Sequence, residues 1–287
     1  MGDQMSISIN SGIITTKTKK TDIEKIDFCV CAEPTQTLDS FYKAQTKKPD
    51  ILINGGLFTF STGKSVMDFI DEGKIQSAED WIQYGLGIDY NNNLIYGKDN
   101  ERNWKDFLSA YPPLVVDGGR PTITMAQEIA AANRRTILGY NDEFIYTITI
   151  DTPVTLTSAA EIAQQIGCTY AINLDGGGST RLLYQGQVYA AAVYNRPVDN
   201  VVAIYFKTKV IYRVQTGAFS LRRNAENYQE VIRNLPDNIG AGYKNAYIRL
   251  IDGLYKVQVG AFSVEANAVR VMNDLKSKGY NAFITTR

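Results

Sequence analysis

The segment YRVQTGAFS at 212–220 returns as YKVQVGAFS at 255–263, offset by 43 residues. A near-exact internal repeat of this kind constrains a chain more than composition does, because both copies must solve the same packing problem in the same way. Each copy alternates like a strand and is followed by a helical pattern. After the first comes RNAENYQEVIRNL, with Ala225, Tyr228, Val231, Ile232 and Leu235 at helical spacing; after the second comes VEANAVRVMNDLKSKGY, with Ala266, Val269, Met272 and Leu275, stopping at Gly279. Between them AYIRLIDGLYKVQVG reads as strand, Asp252-Gly253 turn, strand, and NAFITT reads as a closing strand.

The predicted order over 210–287 is therefore βαββαβ, a small ferredoxin-like unit. Strict alternation turns Tyr212, Val214 and Thr216, with Tyr255, Val257 and Val259, toward the helices. Arg213, Gln215, Lys256 and Gln258 then face the other way, onto a sheet surface that no helix covers. Such a face is either a binding platform or a row of solvated strand residues. This region carries 11 Lys/Arg against 6 Asp/Glu, whereas the chain as a whole carries 30 of each, so a basic module follows an acidic one.

Residues 1–209 read as a strand-rich α+β domain with a mixed sheet. EFIYTITI and NVVAIYF are near-continuous apolar runs of the central-strand type, ILINGGLFTF is a strand, LGIDYNNNLIYG a hairpin across Asn91–Asn93, and RLLYQGQVY a hairpin across Gln185-Gly186. TSAAEIAQQIG is the best helix, with Ser158 and Glu161 as a capping box and Gly167 as its stop. The domain boundary is expected near residue 209. There is no histidine, which excludes Ser-His and Cys-His pairs and His-ligated zinc and leaves carboxylates as the acid–base groups. Cys29, Cys31 and Cys168 are too few and badly spaced for a zinc site and read as buried thiols. The first twenty residues lack the apolar core of a signal peptide, and no run of 18 apolar residues would span a membrane.

The chemistry is concentrated in AINLDGGGSTRLLY at 171–184. Asp-Gly-Gly-Gly-Ser-Thr after an apolar strand admits three readings: a turn, a phosphate cradle of bare N–H groups, or a catalytic carboxylate at a strand end. No Gly-Lys-Ser/Thr follows, so it is not a nucleotide-binding P-loop, and the dinucleotide spacing also fails. INGGLF at 53–58, with Asn54 and Gly55, is a second glycine-broken strand end, and PPLVVDGGRP at 112–121, with Asp117, is a third. NRRTILG supplies Arg134 and Arg135, and YNRPVDN supplies Arg196. Several backbone-lined loops with separate arginines suit an anionic substrate.

In this order NGGLF, VVDGG, RRTILG, INLDGGGST and YNRPVDNVVAIY resemble the phosphodiester glycosidase family, the N-acetylglucosamine-1-phosphodiester α-N-acetylglucosaminidase-like catalytic domains, over roughly residues 50–206. The stretch from Thr59 to Trp104 matches nothing recognisable. The resemblance implies hydrolysis of a sugar-1-phosphodiester to the sugar and a phosphomonoester. The two half-repeats, each with Val-Gln-x-Gly-Ala-Phe, resemble the SPOR domain over 210–287. That implies binding of peptidoglycan glycan strands through Arg213, Gln215, Phe219, Lys256, Gln258 and Phe262, and favours the platform over the solvated row.

A phosphomonoester leaves more readily than a sugar alkoxide, so such a reaction tolerates a weak general acid if cations and N–H donors meet the departing charge. On this reading Asp175 is the base for water or the carboxylate that stabilises charge at C1, and Asp117 is a candidate second carboxylate. Arg135 and Arg196 clamp the phosphate, while Gly176, Gly177, Gly178, Ser179, Asn54 and Gly55 complete the cradle. No cofactor is required, although a carboxylate such as Asp175 also suits Ca²⁺ or Mg²⁺ as a ligand. The expected site of action is the cell wall, with a sugar-phosphate wall polymer of the teichoic acid type as substrate. Without a leader in the chain, release at lysis by a phage, a role in sporulation, or a leader absent from this sequence fits. Nucleic acid is not an expected partner, because Tyr212 and Tyr255 fall on the helix side rather than on the open face. Two alternatives stand beside this reading: a non-catalytic glycan-binding protein, and a peptidoglycan hydrolase cutting ordinary glycosidic bonds.

Overall fold

Apolar residues at consecutive positions of the central strands divide between two cores, because successive side chains leave opposite faces of a sheet. In the computed structural model, which describes residues 5–32, 35–79, 84–109, 112–123, 131–191, 195–208 and 210–286, Ile51 and Ile53 enter one cluster and Leu52 another; Leu182 and Leu183 part in the same way. Leu138 and Ile172 join the first cluster while Ile137 and Ala171 face a third. The chain divides into two compact units between Lys207 and Thr208.

The first unit is built on two large sheets. A six-stranded sheet runs in the order Met5–Asn10, Ile13–Lys19, Phe144–Val154, Asn133–Tyr140, Tyr170–Asn173, Pro113–Val115. A five-stranded sheet runs Gln187–Ala191, Arg181–Tyr184, Ile51–Asn54, Asn200–Phe206, Ile23–Val30. Their inner faces share the largest cluster, and among the described residues Leu156–Ile166 packs on the outer face of the six-stranded sheet and Leu38–Ala44 on that of the five-stranded one. The first of these helices starts earlier than the Ser158 capping box predicts. Thr155 is the N-cap, its side chain accepting from the Ser158 N–H, and Gly167 ends the helix in the left-handed region at φ 108°. The hairpin turns at Asn91–Asn93 and Gln185-Gly186 form as expected, with Asn92, Gln185 and Gly186 at positive φ.

The stretch from Thr59 to Trp104, opaque in sequence, supplies most of a third sheet in the order Leu94–Lys98, Tyr84–Ile88, Asp106–Ser109, Phe69–Asp71, Lys74–Ser77. It closes the edge of the five-stranded sheet through side chains rather than a ladder. Alternate N–H groups of edge strand Ile23–Val30, at Ile26, Phe28 and Val30, donate to Asn92, Asp106 and Asp71. An edge occupied in this way offers no free donors to another chain.

The second unit has the element order strand Tyr212–Phe219, helix Arg222–Arg233, strands Tyr247–Ile251 and Leu254–Phe262, helix Glu265–Ser277, strand Phe283–Thr285. Its sheet runs Tyr247–Ile251, Leu254–Phe262, Tyr212–Phe219, Phe283–Thr285. The two copies of the repeat are its central pair. Tyr212 lies opposite Phe262 and Phe219 opposite Tyr255, while Gln215 lies opposite Gln258. The 43-residue offset exchanges the first two pairs and maps the glutamine pair onto itself, so a local twofold axis passes through it.

Two expectations about this sheet are corrected. Strict alternation places Phe219 on the open face, but a register shift between Gln215 and Gly217 reverses the phase. Phe219 therefore packs on the helix side, against Tyr228 at 5.2 Å between ring centres and over Gly217, where a side chain would collide with it. Phe262 covers Gly260 in the same manner and packs against the helix-side core. The second correction concerns solvent. Gln215 and Gln258 stay on the helix-free face, yet both are buried, flanked by Phe283 and Tyr247 across the sheet. Both amide atoms of Gln258 lack a hydrogen-bond partner among the described residues.

Candidate active site

Strand ends from both large sheets of the first unit meet at one end of the sandwich: the carboxyl ends of Ile51–Asn54 and Tyr170–Asn173 and the amino ends of Arg181–Tyr184 and Asn200–Phe206. Asn54 ties them together. Fully buried, it donates from Nδ2 to the backbone carbonyl of Asp175 at 2.7 Å and to that of Gly55 at 3.3 Å. Its Oδ1 accepts from the Thr136 hydroxyl at 2.8 Å and from the Arg181 N–H at 3.2 Å. With its amide so engaged, Asn54 is not a phosphate ligand but the residue that positions Asp175. Gly55 likewise serves close approach rather than binding, since a side chain there would overlap Asn200, whose Oδ1 accepts from the Gly56 N–H at 2.7 Å. Thr136 and Asn200 were not foreseen: a threonine in RRTILG and an asparagine opening an apolar strand carry no signal of their own.

Asp175 itself is buried, and burial pushes its carboxyl up to about 6. The rise is opposed by the Ser179 hydroxyl, turned toward the carboxylate though outside ordinary hydrogen-bond geometry. It is opposed also by the Gly176 N–H, which donates to Oδ1 at 2.8 Å, and by the Arg196 guanidinium. The three glycines differ in purpose. Gly176 passes against the Arg134 carbonyl, Gly177 takes φ 57° beside Asn133, and Gly178 lies beneath the Arg196 guanidinium. Gly177 to Ser179 form a short 3-10 turn whose Gly177 and Gly178 N–H groups take no partner among the described residues, while the Gly176 N–H is spent on Asp175. The exposed Phe60 ring lies 4.5 Å from the Arg196 guanidinium carbon, a cation–π contact that holds the charge in place.

Two expected members lie elsewhere. Arg135 shares a sheet face with Ile137, opposite to Thr136, and its guanidinium donates to the carbonyls of Val154 at 3.2 Å and Ala131 at 2.6 Å. Burial lowers its pKa from the ordinary arginine value. These two bonds hold its guanidinium on the sheet face opposite to Thr136. Asp117 is exposed at φ 52° in a two-residue turn closed by reciprocal Val116–Gly119 bonds. The neighbouring Gly118 N–H donates to Thr169, at the opposite end of the strand that leads to Asp175. Six residues of extended chain put it roughly 15–20 Å away. Among the described residues no three carboxylate or thiol groups gather as metal ligands.

The glycines yield a prediction that separates structure from chemistry. Gly176→Ala forces a methyl group into the Arg134 carbonyl, which belongs to a sheet strand, and is expected to lower stability by about 1–3 kcal/mol. Gly178→Ala collides only with the movable Arg196 side chain, so the protein should fold normally and lose about a hundredfold in turnover through a misplaced cation. Thermal denaturation alongside an activity assay checks both.

One end of the strand sandwich thus presents a buried carboxylate, a glycine turn and a stacked arginine. The sequence pattern of the phosphodiester glycosidase family matches residues 47–205, and that of the SPOR domain matches 208–286. The chain belongs to the phosphodiester glycosidase family and carries a C-terminal SPOR domain. Among solved structures it is similar to the catalytic domain of zebrafish N-acetylglucosamine-1-phosphodiester alpha-N-acetylglucosaminidase auto-inhibited by its pro-peptide, at 19% identity and TM-score 0.58, over 71% of this chain and 82% of that one. A hypothetical protein from Synechocystis is similar at 11% identity and TM-score 0.57, over 71% of this chain and 61% of that one. The peptidoglycan binding domain of the B. subtilis cell wall lytic enzyme CwlC matches at 33% identity over 28% of this chain and 91% of that one, with TM-score 0.22. A comparison with curated proteins finds no match.

Proposed function

We propose that the first unit hydrolyses a sugar-1-phosphodiester bond, of the N-acetylglucosamine-1-phosphate type, in a cell-wall polymer, while the SPOR domain holds the chain on peptidoglycan glycan strands. The observation that carries the reading is Asp175: a carboxylate buried at a strand end, raised to about 6, beside a cation held on Phe60 and against Gly178, with the Gly177 and Gly178 N–H groups without partners among the described residues. At neutral pH this carboxylate is ionised yet more basic than an ordinary one, which suits removal of a proton from water as it attacks C1. Arg196 and the Gly177 and Gly178 N–H groups meet the charge of the departing phosphomonoester. No second carboxylate is required at the leaving oxygen, in keeping with the remote place of Asp117. On the SPOR domain, Arg213 and Lys256, beside the buried Gln215–Gln258 pair, would contact the glycan. Phe219 and Phe262 support that face from behind.

The test is sugar release from UDP-N-acetylglucosamine or from a methyl phosphodiester of N-acetylglucosamine-1-phosphate. With Asp175 as base, kcat/KM falls about tenfold per pH unit below an apparent pKa near 6. A flat profile from pH 5 to 8 removes Asp175 from the proton transfer. Absence of turnover with wall binding intact turns the reading into that of a glycan-binding protein.

A further inference from the structure

A second cavity of about 500 Å³ lies in the first unit, lined by the hairpin Phe58–Thr59/Lys64–Ser65, the strand Lys74–Ser77, and Cys31 and Asp199. Its size is that of a small-ligand pocket. Val30 and Val66 supply its accessible aliphatic surface, and most of the remaining lining is polar. The rim hydroxyls point their hydrogens at the backbone: Thr62 toward the Thr59 carbonyl, Ser65 to that of Met67, Ser77 to that of Ser65. The Thr62 and Ser65 oxygens also accept from the Lys64 and Met67 N–H groups, so each has one lone pair left for a ligand. Two carboxylates, Asp199 and Glu79, stand against one ammonium, Lys64. A lining with more acceptors than cations disfavours phosphate and suits neutral hydroxyl donors beside the aliphatic side chains of Val30 and Val66, as a sugar ring with its C–H face would offer.

The groove is tied to the reactive end of the unit by two short links. Asp199 accepts from the Asn200 side chain at 3.0 Å, and Asn200 fixes the Gly55-Gly56 turn beside Asn54. Thr59 lines the groove, and the following Phe60 carries Arg196. We infer that this groove is a saccharide subsite that takes an uncharged sugar unit of the polymer, beyond the diester that is cut. The inference rests on the proposed activity for its place in a reaction, and on the groove alone for its ligand.

The test therefore has two arms. Backbone NMR of the full chain is titrated with N,N′-diacetylchitobiose, a phosphate-free disaccharide. The amides of Thr62, Ser65, Gln76 and Ser77 are expected to shift, and Thr62→Trp and Ser77→Trp, each filling the groove, are expected to abolish those shifts while leaving responses at 213–258 unchanged. Silent groove amides in the wild type, shifts that survive both variants, or shifts elicited by inorganic phosphate instead would overturn the inference. In the second arm, KM for a diester whose alcohol is extended by a disaccharide should be about tenfold below that for the methyl diester. Both tryptophan variants should lose that advantage with kcat unchanged, and equal KM values in the wild type count against the subsite. If no diester is turned over, the proposed activity fails and the NMR arm still decides the groove.

Discussion

Asp175→Asn is expected to abolish turnover and to make the protein more stable at pH 7. The loss should reach 10²–10⁴-fold, the usual contribution of a positioned base. The gain follows from linkage. Burial raises the folded-state pKa to about 6 from an ordinary 3.8, so between those values the folded protein binds more protons than the unfolded chain. Stability from this group is therefore greatest below about pH 4 and declines as pH rises toward 6, leaving a cost of about 2–3 kcal/mol at neutral pH. Asparagine removes the charge and keeps the oxygen that accepts the Gly176 N–H. A melting temperature raised at pH 7, with the difference vanishing near pH 4, is the expected signature. A variant less stable at every pH would show that the carboxylate is held by more than it costs to bury.

Asn54→Ala should act in the opposite direction on stability and in the same direction on turnover. The substitution leaves the Asp175 carbonyl, the Thr136 hydroxyl and the Arg181 N–H without their partner in a fully buried place. Each orphaned group costs about 1–3 kcal/mol, so a loss of at least 3 kcal/mol is expected. That corresponds to roughly 6–12 °C in melting temperature for a unit of this size. Asn54→Asp should fare no better despite its shape, because it sets an acceptor against two carbonyls. Turnover falls in both variants because the backbone of Asp175 is no longer pinned. A stable, inactive Asn54→Ala would return Asn54 to the role of a substrate ligand.

Much of this was legible before any coordinates. The duplicated Val-Gln-x-Gly-Ala-Phe segment dictates two like strands, each followed by a helix, and the Asp252-Gly253 turn fixes the hairpin between them. Asp175 and its glycines announce themselves because bare backbone after an apolar strand has few uses. What sequence could not supply was parity and polarity. Arg135 and Thr136 are neighbours, and which of them faces the site depends on the sheet's orientation, a tertiary fact. Asp117 follows a strand in the same style as Asp175, but antiparallel pairing sends it to the other end of the sheet. Phe219 went astray through a single irregular residue in the ladder. Asn54 stands out in sequence, but a buried amide that holds backbone and one that holds ligand look alike in a string of letters.

The twofold axis through Gln215 and Gln258 has a consequence for how a polymer is met. The same offset that exchanges Tyr212 with Tyr255 exchanges Arg213 with Lys256, so the two halves of the face present matching groups in opposite order. A strand laid across it encounters an equivalent surface whichever way its reducing end points. On the proposed role, such a face would hold a glycan strand without distinguishing its two headings.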